Sequence, residues 1–213
     1  MHQPLDSKEI AMTDELPHSQ SSENNKIPIL DVLRTWLAKS RVVLEVGSGT
    51  GQHAVYFAPA LPHLIWQTSD LQSAHEGINA WISKCPSSNL RAPVVLDVQR
   101  GDWQEDVSQL AVDAVYCANA VHIMHWQVVC SLFEGVGRLL PAGGLLLLYG
   151  PFSDGGRHTS ESNRTFDASL RARDPDMGIR DLYALDALAA DAGLRMAGNQ
   201  AMPTNNRLLI WRR

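Results

Sequence analysis

Three glycines spaced two apart interrupt an apolar run in Val42-Val43-Leu44-Glu45-Val46-Gly47-Ser48-Gly49-Thr50-Gly51-Gln52-His53, and this interruption constrains the fold more than any other feature. The Val- and Leu-rich run reads as a buried parallel strand. Ala54, Val55, Phe57 and Ala58 then follow a helical pattern. Glycine reaches positive φ and lacks a side chain, so the backbone can turn sharply there and pass close to a ligand. Amides at the start of the following helix are expected to face that ligand. Glu45, near the carboxyl end of the strand, suits a ligand bearing an ammonium group or hydroxyls. A tight turn without a ligand accounts poorly for three glycines and an acid together.

The alternation of strand and helix continues along the chain. Segments 64–70, 93–98, 112–119 and 145–149 read as four more strands, each bounded by turn residues, with helical patterns between them. Five such units predict an open, doubly wound, mostly parallel α/β sheet. Segments 194–200 and 207–213, joined by Met202-Pro203-Thr204-Asn205-Asn206, predict a C-terminal antiparallel hairpin that raises the count to seven strands. Residues 1–21 are polar and aperiodic and read as a mobile tail. A single domain is expected over 22–213, its first helix opening near Pro28 and packing Ile29, Leu30, Leu33, Trp36 and Leu37 on the sheet.

Composition narrows the partners. The net charge is −5, and acids in the first 25 residues carry most of it, which leaves no basic excess for a phosphate backbone. No nucleic-acid partner is expected. No apolar run is long enough to span a membrane, and the acidic N-terminus is unlike a signal peptide. Cys85, Cys117 and Cys130 are far apart and form no CxxC pair, as reduced thiols of a cytoplasmic protein would.

The strand ends supply candidate ligand contacts. Asp70 ends the second strand 19 residues beyond Gly51, where a carboxylate can accept both hydroxyls of a ribose. Capping the helix that begins at Leu71 is its alternative role. Asp97 and Val98 close the third strand, and Asn119 the fourth. Gly49-Thr50-Gly51-Gln52-His53-Ala54 also satisfies G-x-G-x-x-G, so a nicotinamide-dependent oxidoreductase is an alternative reading. The stretch reads better, however, as E-x-G-x-G-x-G from Glu45. His122 and His125 form an H-x-x-H pair expected at the start of the next helix, beside Trp126. Without further ligands at metal spacing, no metal site is predicted.

Between the fifth strand and the last helix, residues 150–180 show little apolar period, which suits a lid or substrate loop more than a connector. Five arginines interleave with five acids from Asp154 to Arg180. A self-paired, solvated loop is the plain reading. The functional one is a cap in which an arginine such as Arg171 holds an anionic substrate group.

The E-x-G-x-G-x-G stretch resembles the first motif of class I S-adenosylmethionine (SAM) methyltransferases. The whole chain from about residue 22 resembles the DUF938 (methyltransferase-like protein 26) family. The residues that carry this likeness are Glu23-Asn24-Asn25-Lys26, Leu44 to His53, Trp66-Gln67-Thr68-Ser69-Asp70, Asn119-Ala120-Val121-His122-Ile123, Tyr149-Gly150-Pro151-Phe152, the Ser162-Asn163 and Phe166-Asp167 pairs, and Met202-Pro203. The resemblance implies a Rossmann-like class I fold and SAM as cofactor, with S-adenosylhomocysteine as product. It implies cofactor contacts at Asn25, Lys26, Glu45, Gly47, Ser48, Gly49, Gly51, Gln52, His53, Asp70, Leu71, Asp97, Val98 and Asn119. It says little about the acceptor.

Methyl transfer needs alignment and a dry site, with a base only where the acceptor must lose a proton. His122, His158 and Tyr149 are the catalytic candidates. His122, Trp126, Phe152, His158, Ser162, Asn163, Phe166, Asp167 and Arg171 are the substrate candidates. Asn119-Ala120-Val121-His122 stands where many amino-methylating enzymes carry Asn-Pro-Pro-aromatic, which favours a small-molecule acceptor. A non-catalytic SAM-binding interaction module is the third reading.

Overall fold

The computed structural model describes residues 16–213. Five parallel strands form the body of the sheet: β1 (Val42–Val46), β2 (Ile65–Asp70), β3 (Leu90–Val95), β4 (Ala114–Ala118) and β5 (Leu145–Gly150). Helices α1 (Gln20–Trp36), α2 (Gln52–Ala60), α3 (His75–Lys84) and α4 (Trp126–Leu139) accompany them. Three short strands follow, β6 (Phe152–Asp154), β7 (Arg157–His158) and β8 (Arg180–Asp181), with α5 (Glu161–Arg173) between the last two. The chain ends with α6 (Leu182–Asp191) and the hairpin β9 (Arg195–Met202) and β10 (Asn206–Arg212). The main sheet has seven strands in the order β3-β2-β1-β4-β5-β10-β9, with β10 antiparallel to both neighbours. The predicted seven-stranded, mostly parallel sheet with its terminal hairpin is therefore present.

Alternation along the strands builds two cores. Val43, Trp66, Ala114, Tyr116, Leu145, Leu147 and Tyr149 face α1 and α2, where Ile29, Leu33, Leu37 and Phe57 meet them. Leu44, Val46, Val115, Cys117, Leu146 and Leu148 face the other way, onto α4 and α6 and onto Trp103 of the 3₁₀ segment Trp103–Leu110. All six residues of β5 are buried, as expected of a strand covered on both faces. From β1 the chain winds outward to β2 and β3 on one side and to β4 and β5 on the other. Ligands bind outside the carboxyl ends of the strands at such a point of reversal.

Three elements differ from the expectations. The first helix opens at Gln20, not near Pro28, because Ser19 caps it by accepting from the Ser22 amide. Pro28 lies inside the helix. Of the expected tail, residues 1–15 lie outside the described residues, while Pro17 is seated: its carbonyl accepts from Trp81 Nε1 at 2.7 Å. The lid contains more structure than a loop with a turn or two. β6 pairs with β7 and β8 in a small separate sheet, and α5 runs for 13 residues from a Ser160 cap. Third, Ala120 to His125 form turns before α4, so the two histidines do not share a helix face.

One contact between α4 and the 3₁₀ segment admits a direct test. A Cβ added at Gly135 of α4 would come within 2.2 Å of the buried Trp103 ring. That indole donates to the Ser131 carbonyl at 3.1 Å and cannot swing away freely. Gly135→Ala should destabilise the fold by about 1–3 kcal/mol, a fall of roughly 2–12 °C in thermal midpoint. An unchanged midpoint would refute this close approach.

Candidate active site

The ends of β1, β2 and β4 and the start of α1 enclose a cleft of about 670 Å³. Its floor is the Gly-rich turn. Gly47, Gly49 and Gly51 have φ of 73°, 58° and 88°, left-handed values that glycine reaches without strain. The turn's donors are used within the protein. Gly47 and Ser48 amides donate to the Ser69 carbonyl, the Gly51 amide to the Ser48 carbonyl, and the Gly49 amide to Asp70 Oδ2 at 2.8 Å. The end of β2 thus takes up the Gly47, Ser48 and Gly49 amides, while of the amides that open α2 that of Gln52 meets, among the described residues, only Thr50 Oγ1 at 3.4 Å. Asp70 does not cap a helix. Its Oδ1 accepts from the Leu71 amide at 2.7 Å, and the carboxylate sits between turn and cleft.

Glu45 lies beneath the turn and is 2% exposed. Its Oε2 accepts from Ser48 Oγ at 2.9 Å and from Trp66 Nε1 at 3.1 Å. Burial pushes its carboxyl up to about 7; the Trp66 and Ser48 bonds act against the rise, and the nearby Asp70 charge adds to it. His53 is also buried and lines the cleft. Its Nε2 meets Asn25 Oδ1 at 2.7 Å, its ring stacks on Phe57, and burial lowers its pKa to about 4.

The sequence-predicted cofactor residues divide into two groups. Glu45, Gly47, Ser48, Gly49, His53, Asp70, Leu71, Asp97, Val98 and Asn119 all line the cleft. Asn119 holds a left-handed φ of 54° and donates its amide to the Tyr149 carbonyl. Asn25, Lys26, Gly51 and Gln52 stand behind the turn instead. Lys26 pairs with Glu23 and lies 5.0 Å from the Tyr56 ring centroid. Gln52 donates to Glu23 at 2.7 Å and accepts from the Ser19 amide at 2.5 Å, stitching α1 to α2. The cleft residues contributed by α1 and its cap are Ser19, Ser21 and Ser22, of which the first two fall in the segment expected to be a tail. Their signal was the Ser19 cap three residues before Ser22. Ala120, Ile123, Met124 and His125 form the opposite wall.

The acceptor-side candidates also separate. Phe152 is wholly buried in the core and does not line the cleft. Tyr149 is 1% exposed, its hydroxyl accepts from Asn206 Nδ2 at 3.0 Å, and it does not line the cleft. Asn163 donates to Thr159 Oγ1 and the Asn205 carbonyl, and Ser162 lies beside Asn205, so both tie the lid to the hairpin turn.

His122, Phe166, Asp167, His158 and Arg171 do come together. The Phe166 ring stands edge-on to His122 with centroids 5.3 Å apart. Asp167 lies 3.6 Å from His158 Nε2 and accepts from Arg171 Nε at 2.9 Å and from the Ile179 amide at 2.7 Å. His122 is 5% exposed, its Nδ1 has no partner among the described residues, and burial together with the Arg180 charge lowers its pKa to about 4. Trp126 begins α4 and is exposed.

Spacing did not reveal the surroundings of His125. Its Nε2 meets Asp174 Oδ2 at 2.9 Å, and Asp176 stands 3.9 Å from Nδ1. The three residues bring ligand-type atoms within 4.8 Å of one another. The two carboxylates address different ring nitrogens, the pattern of an imidazole held between acids.

The sequence matches, over residues 16–213, the family described as "Protein of unknown function (DUF938)". The chain belongs to the DUF938 family. Among solved structures, the DUF938 chain is similar to an O-methyltransferase family protein from Burkholderia thailandensis, at 17% identity and a TM-score of 0.74, over 91% of this chain and 56% of that one. An O-methyltransferase family 2 protein from Planctomyces limnophilus, in complex with apigenin, matches at 16% identity and a TM-score of 0.77, over 91% and 58%. Human N-acetylserotonin methyltransferase in complex with SAM matches at 14% identity and a TM-score of 0.69, over 88% and 54%. At these identities the likeness establishes the methyltransferase-type Rossmann fold. The chain spans little more than half the length of each. Among the described residues, no helix is long and apolar enough to cross a membrane.

The buried acid leads to a pH-dependent prediction. Folding keeps a proton on Glu45 up to about pH 7, whereas the unfolded chain releases it near 4.5. The folded state binds more protons across that window, so this contribution to stability falls as pH rises from about 4.5 to 7. Glu45→Gln removes that slope, while His53 and His122 affect both proteins alike. Urea unfolding at about pH 5 and about pH 7.5 should show the variant gaining on the wild type at the higher pH. A difference independent of pH would assign the proton elsewhere.

Proposed function

We propose that this DUF938 protein is a SAM-dependent methyltransferase acting on a small-molecule nucleophile with an anionic group. The observation that carries this reading is the Gly-rich turn at the sheet's reversal point, with its amides bonded inward and Asp70 beside the cleft. A dinucleotide's pyrophosphate needs free amides at a helix N-terminus. Here the Gly47, Ser48, Gly49 and Gly51 amides are occupied, and the Glu23 carboxylate stands 2.7 Å from the Gln52 side chain that opens α2. That arrangement leaves the turn's glycine amides unavailable to a phosphate. It weighs against the nicotinamide alternative. The SAM and apigenin complexes among the similar structures agree with a cofactor and a small acceptor.

The residues fit SAM. Asp70 would accept from the ribose hydroxyls, Asp97 and Val98 would meet the adenine, and Glu45 and the turn would face the methionine end. Bound there, the sulfonium supplies an activated methyl group and leaves S-adenosylhomocysteine as product. Asn119, Ala120 and the Ala120–His125 wall exclude water from one side. His122 is neutral at pH 7 and, beside Phe166, orients the acceptor and takes its proton where one must leave. Arg171 donates to Asp167 through Nε, and its terminal nitrogens make no hydrogen bond to the described residues; they are the donors for an anionic acceptor group. Arg164 pairs with Glu161 and is not available for this.

Calorimetric titration with S-adenosylhomocysteine, with NADH as control, tests the cofactor. Micromolar binding of the former and none of the latter is expected. Asp70→Ala should weaken that binding at least tenfold, about 1.4 kcal/mol. NADH binding alone, or an Asp70→Ala protein with unchanged affinity, would overturn the assignment.

A further inference from the structure

We propose that Arg180 is a positioning residue through which the returning arm of the lid sets the cleft wall, coupling lid order to cofactor affinity. The proposal rests on the cofactor reading above.

Arginine is seldom buried without an acidic partner. Arg180 is only 7% exposed, yet no carboxylate pairs with it among the described residues. Its guanidinium satisfies backbone carbonyls instead. Nε donates to Val121 O at 3.0 Å, and Nη2 donates to Asp176 O at 2.8 Å and to Met124 O. The Trp126 ring lies over it, 5.9 Å from centroid to guanidinium carbon. Nε and Nη2 thus point into backbone, which sets Arg180 apart from Arg164 and Arg171, whose partners are carboxylates.

The carbonyls it holds belong to the cleft wall. Ala120 to His125 carry no helix or strand, and the Ile123 and Met124 amides both return to the Ala120 carbonyl. An irregular segment beside a ligand needs partners for its other polar groups. Those partners come from a single source. Besides Arg180, the Gly178 amide donates to the His122 carbonyl at 2.9 Å, and Asp174 holds the His125 ring. Residues 174–180 are thus fastened to residues 121–125 at four carbonyls or rings. The same arm is fixed to α5, because Asp167 accepts from the Ile179 amide. Anything that orders the lid therefore orders the cleft wall, and coupling of this kind acts in both directions.

The test combines titration with S-adenosylhomocysteine, thermal unfolding and amide hydrogen exchange on wild type, Arg180→Met, Arg180→Lys and Leu194→Ala. Leu194, 1% exposed and outside the cleft, serves as a control for general loss of stability. Arg180→Met should weaken binding at least tenfold, and Arg180→Lys should recover part of the loss. Leu194→Ala should bind as wild type despite a lower midpoint. Wild-type affinity in Arg180→Met, or an equal loss in Leu194→Ala, would overturn the proposal. If Arg180→Met does not fold, a two- to tenfold loss in Arg180→Lys is the expected result and wild-type affinity the refuting one. If wild type itself binds no S-adenosylhomocysteine, the cofactor reading fails, and exchange alone decides on Arg180. In that case, unchanged protection of the Met124 and Gly178 amides in Arg180→Lys would refute it.

Discussion

A carboxyl group buried at the end of the central strand is costly unless its neighbours satisfy it, and the carboxyl edge of this sheet is organised around that requirement. Glu45 receives Trp66 Nε1 from β2 and Ser48 Oγ from the turn. Ser48 Oγ in turn accepts from the Ser69 amide, and Ser69 Oγ donates to the Glu45 carbonyl at 2.6 Å. Glycine at 47, 49 and 51 lets the backbone fold back far enough for these bonds to close. The turn, the end of β2 and the buried acid are one hydrogen-bonded unit. Its shape is held by bonds within the protein itself.

Around this unit the protein places two further layers of polar contact. On one side, Ser19, Glu23, Gln52, Asn25 and His53 bind the first turns of α1 to the start of α2. On the other, the arm from Asp174 to Arg180 is bound to the segment after β4. Both layers join pieces that are distant in sequence, and both bury polar groups with most of their partners supplied. Satisfied networks of this kind are rigid. The cleft between them is open where neither layer reaches.

Legibility in the sequence follows from this arrangement. The strands could be read because β1, β4 and β5 are runs of Val, Leu and Ala buried on both faces, and the glycines mark their own turn. The opening of α1 could not be read from apolar period. Ser21, Ser22, Glu23 and Asn25 face the cleft or the start of α2, so the buried position in this stretch is polar, at Asn25. The same holds for α5, whose buried side chains are Asn163, Asp167 and Leu170. A helix that buries polar residues against another polar surface has no hydrophobic stripe to find. Asp70, Asp97 and Asn119 were legible because a strand end is a topological position. Ser22, Met124 and His125 were not, because only tertiary contact brings them to the cleft.

The five lid arginines show where composition ceases to inform. In sequence they are equivalent cations among acids, and a self-paired loop and an anion clamp predict the same string. In the fold, Arg164 pairs with Glu161 in the exposed first turn of α5, Arg180 is buried against backbone carbonyls, and Arg171 keeps part of its guanidinium free. The difference lies in the surroundings of each residue. Gly178 contributes to it: its φ is 150°, and any Cβ there would stand 2.5 Å from Arg171 Nη2. A side chain at position 178 would therefore displace Arg171 and would strain the arm that carries Arg180. Arg171 on α5 and Arg180 on the returning arm are nevertheless joined, because Asp167 accepts both from Arg171 Nε and from the Ile179 amide next to Arg180.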